Sequence, residues 1–127
     1  MLKSVEEQLE QLRQHFPNSQ ITRGPDGTVF VEVTGLELPA GWNKPSTNLL
    51  LLVPPGYPTN RPNGFEADPD LRLANNNNMP AGTGQSSHLG RSWLHFCWQP
   101  GQPWDNNKDA LWKHVAFAIR RFVDAVQ

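Results

Sequence analysis

One cysteine stands in the chain, and the residues around it are the ones whose types could do chemistry. Cys97 lies within Trp93-Leu94-His95-Phe96-Cys97-Trp98-Gln99-Pro100-Gly101-Gln102-Pro103-Trp104, which holds three of the five tryptophans and one of the four histidines. A thiolate can accept an acyl group as a thioester and pass it to an amine. A free thiol has a pKa of about 8.5, so a nearby cation or dipole is needed to raise its reactive fraction at neutral pH. His95 precedes Cys97 by two positions, and on an extended backbone both side chains point to the same face. Protonated, His95 favours the thiolate; neutral, it accepts a proton from an incoming nucleophile. His88 is a further candidate upstream. Each has a plainer reading: Cys97 as a buried small hydrophobe, His95 as a half-buried histidine bonded to backbone, His88 as a solvated loop residue.

Other chemistries find less support. His88, His95 and Cys97 match no common zinc spacing, so no metal and no cofactor is expected. There is no Gly-x-Ser-x-Gly elbow and no glycine loop ending in Lys-Ser or Lys-Thr, which leaves the hydrolase and nucleotide-binding readings without support. The run Asn75-Asn76-Asn77-Asn78 reads as a linker, although one rigidly held amide aimed at a developing oxyanion would contribute on the order of 3 kcal/mol.

These residues need elements to hold them. At 127 residues and a net charge of -1 the chain reads as a single domain, 1–127, without the basic face of a nucleic-acid binder. Its longest apolar run, Leu49 to Pro55, is too short for a bilayer. Glu6, Glu7 and Glu10 stand where a signal peptide needs basic and then apolar residues. One cysteine permits no internal disulfide, which fits the cytoplasm.

Leu2, Val5, Leu9, Leu12 and Phe16 recur at helical spacing, with Ser4 and Glu7 as a capping box and Pro17 as the stop, so a first helix ends near His15. Gln20 to Arg23 reads as a strand, Gly24-Pro25-Asp26-Gly27 as a turn, and Thr28 to Thr34 as a strand burying Val29, Val31 and Val33. Trp42 is expected under the loop that follows. Asn48 to Val53 reads as a central strand. The proline-rich segment from Pro54 to Pro62 is rigid and locked by Tyr57, and Asn63 to Ala67 returns as a fourth strand with Phe65 inward. From Ala74 to Gly90 a long surface loop is expected, then a short extended piece from Ser92 to Cys97. A closing helix runs from about Lys108 to Val126, with Asp105 to Asn107 as cap candidates. The predicted class is α+β: an N-terminal helix, a four-stranded antiparallel meander, a long irregular active-site stretch and a C-terminal helix.

In that order, Leu49-Leu50-Leu51-Leu52-Val53, Gly56-Tyr57-Pro58, Pro62, Phe65, Cys97 and Trp104 resemble the ubiquitin-conjugating enzyme superfamily. The prokaryotic family E group of ubiquitin-conjugating-like proteins is the closest in pattern. The resemblance spans about Leu2 to Val126 and lacks the His-Pro-Asn tripeptide of the eukaryotic members. It implies a transferase that carries a ubiquitin-like protein as a thioester on Cys97, with His95 and His88 in support. Its implied partners are the ubiquitin-like protein, an activating enzyme and a deconjugating peptidase, in bacterial antiphage defence. The first helix, with Lys3 and Arg13 on its outer face, would meet the activating enzyme. Tyr57, Trp98 and Trp104 are expected as partner contacts, because aromatic anchors dominate interfaces. A rival reading keeps the fold without catalysis, as a module that docks a ubiquitin-like protein or a partner subunit.

Overall fold

The computed structural model describes residues 5–57, 64–75, 77–80, 82–96 and 111–126. Lys3 and Ser4, the prolines at 58 and 62, and the segment from Cys97 through Trp98, Trp104 and Asp105–Asn107 lie outside the described residues.

Helix α1, Val5–His15, forms where Leu9 and Leu12 share one face, and both are buried. Glu6 and Glu7 in its first turn and Arg13 and His15 in its last complement the helix dipole. The helix stops before Pro17, which has no amide proton to give it. Strands β1 (Ser19–Arg23) and β2 (Val29–Glu37) then pair as a hairpin in which Ile21 faces Val31. Along β2 the side chains alternate, and Val29, Val31 and Val33 are the buried set. Strand β3, Ser46–Val53, lies between β2 and β4 (Phe65–Ala67), which explains its continuous apolar run.

The closing helix α2, Leu111–Asp124, buries Leu111, Val115, Ala118 and Phe122. Both helices contribute to one core with the inward face of the sheet. At its centre Phe65 and Phe96 stack at 4.8 Å, and Phe122 meets each edge-on at 5.5 Å. Trp42 does pack beneath its loop: its indole N–H donates to the Phe122 carbonyl at 3.0 Å. The α+β arrangement of N-terminal helix, antiparallel sheet and C-terminal helix agrees with a ubiquitin-conjugating-like fold.

The stretch from 74 to 90 departs from the expected loop. Within it Thr83–His88 forms β5, paired antiparallel to β6 (Arg91–Phe96), so the sheet has six strands in the order β1-β2-β3-β4-β6-β5 instead of four. The residues Leu89 and Gly90, with φ of 55° and 71°, make the tight two-residue turn whose twist matches flanking strands. Thr83-Gly84-Gln85-Ser86-Ser87-His88 has no apolar alternation because it is an edge strand held by its backbone ladder. A pattern search based on buried apolar residues therefore passes over it.

Candidate functional site

The six-stranded sheet curls. Strands in a flat sheet are about 4.8 Å apart, which would put β2 about 14 Å from β6 and about 19 Å from β5. Yet the Arg91 guanidinium donates to Glu32 Oε1 at 2.5 Å, and the rings of Phe30 and His88 lie 6.2 Å apart. The β5–β6 hairpin therefore folds back toward β2 over the sheet face turned away from the helices. The Glu32 contact also holds the Arg91 guanidinium more firmly protonated than usual. Arg91 in turn covers the Trp93 ring, 4.6 Å from its centroid, and the Trp93 indole N–H donates to the His88 carbonyl at 3.1 Å. Leu50 and Trp93 are buried but stand apart from the helix-side core, so the concave face has a small interior of its own.

Glu66 lies at the centre of that face. Its neighbours Phe65 and Ala67 point into the main core, so strand alternation sends Glu66 to the concave side, 2% exposed. Register sets Glu66 directly opposite Leu50 on β3 and His95 on β6. His95 Nδ1 is 2.6 Å from Glu66 Oε2, His88 Nε2 is 2.9 Å from Oε1, and Ser86 Oγ donates to Oε1 at 2.8 Å. An ionised carboxylate only accepts hydrogen bonds. The ring nitrogens turned toward it therefore carry protons, and in the neutral imidazoles His95 Nε2 and His88 Nδ1 are left as acceptors. This arrangement fixes the tautomer of each neutral imidazole through a buried acid, with its acceptor nitrogen on the far side of the ring, as a general base would require. Leu52, Pro54, Glu66, Ser86, His88 and His95 line a cavity of about 430 Å³.

The structure thus brings His88 and His95 together through a residue that sequence reasoning missed. The available signal was a lone acid flanked by two inward-facing residues of a strand, Phe65-Glu66-Ala67. A charged side chain on a mid-sheet strand needs partners if it is buried. Cys97 follows Phe96, the last residue of β6, in sequence, and lies outside the described residues along with Lys3, Trp98 and Trp104. Arg13 is exposed on α1. Tyr57 is 6% exposed in the isolated chain, and its hydroxyl donates to Gln8 Oε1 on α1. That contact ties residues 54–57, the described part of the proline-rich segment, to α1. Among the described residues no group of three His, Cys, Asp or Glu side chains is arranged to hold a metal. None of the described helices is long and apolar enough to cross a membrane.

No curated protein and no solved structure matches the sequence. The family model described as prokaryotic E2 family E does match, over residues 5–125, from the start of α1 to just past the end of α2. With the sheet, both helices and the His-bearing strand β6 all inside that span, the chain belongs to prokaryotic E2 family E, a ubiquitin-conjugating-like family.

Proposed function

We propose that this chain carries a ubiquitin-like protein as a thioester on Cys97 and transfers it to an acceptor amine. In the loading step the Cys97 thiolate attacks the thioester carbonyl that the activating enzyme presents, and the activating enzyme's thiolate leaves. In the second step the amine attacks the new thioester, the C–S bond breaks, an amide forms and Cys97 departs as thiolate. The proton lost by the amine goes to His95 Nε2, while Glu66 stabilises the imidazolium through Nδ1. His88 shares that carboxylate and orients it from the other oxygen.

One observation carries this reading: in a chain of E2-like family, the histidine two positions before the only cysteine is held by a buried carboxylate at 2.6 Å. The resemblance adds a cytoplasmic place in bacterial antiphage defence, beside a deconjugating peptidase, as part of the same proposal. The test is incubation with an activating enzyme, a ubiquitin-like protein and ATP from the same source. A thiol-sensitive adduct that Cys97→Ala abolishes and Cys97→Ser converts to a thiol-resistant oxyester is expected. No adduct with a folded, competent set of partners would leave only the docking-module reading.

A further inference from the structure

The cavity on the concave face is more than a general base needs. Its volume of about 430 Å³ falls within the range of small-molecule sites, roughly 300–1,000 Å³. Leu52 and Pro54 give it an apolar wall, and Glu66, His88, His95 and Ser86 form a polar end. Glu66 is the only acid among the described lining residues, and no lysine or arginine is among them. Every partner the carboxylate shows among the described residues is a histidine or a serine. A carboxylate offers about four lone-pair sites, and Ser86, His88 and His95 take three. The polar end thus offers a carboxylate with a lone-pair site left over and no lysine or arginine beside it, an arrangement that favours a cationic guest bearing N–H donors. The outward nitrogens, His95 Nε2 and His88 Nδ1, are acceptors as well. A metal is the wrong cation for it. Both imidazoles turn a ring nitrogen toward the carboxylate, and no three-residue metal cluster occurs among the described residues.

We propose that this cavity binds a small organic cation, an ammonium group carried on an apolar body, with the ammonium at the Glu66–His88–His95 end and the body against Leu52 and Pro54. The site shares Glu66, His88 and His95 with the proposed transfer step but does not use Cys97, so its occupancy can be tested apart from thioester formation.

The test is titration of the full chain with hexylamine, hexanoate and hexanol, followed by calorimetry and by the ring resonances of His88 and His95. Hexylamine is expected to bind, hexanol to bind more weakly and hexanoate not at all. Glu66→Gln removes the charge and should weaken hexylamine by about ten-fold or more, the loss expected for a charge-assisted hydrogen bond. Leu52→Trp fills the apolar end without touching the polar cluster and should abolish binding in a protein whose fold is verified by circular dichroism. Cys97→Ala should bind as the natural chain does, so failure of the transferase reading and failure of this one are separable. Hexanoate binding as well as hexylamine, or no hexylamine binding by the folded natural chain, overturns the proposal. So does binding that survives Leu52→Trp.

Discussion

Glu66 and His95 face each other in direct register on β4 and β6, with Oε2 and Nδ1 2.6 Å apart. Neither strand determines this alone. The acid is delivered by alternation along a three-residue strand, and the imidazole by a hairpin whose turn lies at Leu89 and Gly90. With the proton of His95 held on Nδ1, Nε2 is left as an acceptor, and in the proposed transfer step it takes the proton of the attacking amine. Glu66→Gln preserves shape but no longer enforces that tautomer. Single-turnover discharge of the Cys97 thioester to free lysine is expected to slow by about 100-fold, the lower end of what a positioned base supplies. Loading from the activating enzyme should change far less, and comparing the two rates in one preparation checks the assignment.

His114 predicts how stability depends on pH. Burial on α2 pushes its pKa from 6.5 down to about 4, partly offset by the Nε2–H bond to the Gly64 carbonyl at 2.8 Å. Between those values the unfolded chain binds a proton that the folded chain refuses. Stability should therefore fall as pH drops from about 6.5 to about 4, by on the order of 3 kcal/mol, and show no further contribution from this residue below. Urea unfolding of the natural chain and of His114→Gln across that range gives the difference profile, which should be flat above pH 6.5 and sloped beneath it.

Gly41 is required by both space and backbone. A Cβ there would lie 2.7 Å from Val126 Cβ, and its φ of 113° is one that L side chains rarely adopt. Gly41→Ala should destabilise the protein by about 2–4 kcal/mol, combining overpacking and backbone strain. Adding Val126→Ala leaves Val126 Cβ in place but removes its two γ-methyl groups, so the second change should recover part of the steric loss and none of the backbone part. A double-mutant cycle of unfolding free energies measures that split.

Gln8 joins three parts of the molecule: it accepts from the Tyr57 hydroxyl and from the Leu111 amide at the start of α2, the latter at 3.3 Å. Because Gln8 is 3% exposed, losing one donor leaves acceptor capacity in the interior. Tyr57→Phe should lower stability by about 1–2 kcal/mol, with a matching fall in the urea midpoint and no change in slope.

Much of this architecture was legible in the amino-acid order. The alternation at Val29, Val31 and Val33 marks a half-buried strand, Leu49 to Val53 marks a central one, and Leu9, Leu12, Leu111, Val115 and Phe122 mark two helix faces. These signals are local because burying one face of an element imposes its own period on the chain. Strand β5 gave no such signal: an edge strand of serine, glycine and glutamine is held by its ladder to β6, and backbone hydrogen bonds leave no trace in side-chain type.

Sequence by itself determined the α+β class, the core faces and the suspicion attached to His88 and His95. Tertiary structure decided what those histidines share. Glu66 precedes His88 by 22 positions and His95 by 29, a separation that no spacing rule spans. Pairing of β4 with β6 sets Glu66 beside His95, and the curl of the sheet, with Arg91 on Glu32, accompanies the placing of His88 and the cavity on the same face. That arrangement depends on strand order and register, which are properties of the assembled sheet and of no single segment.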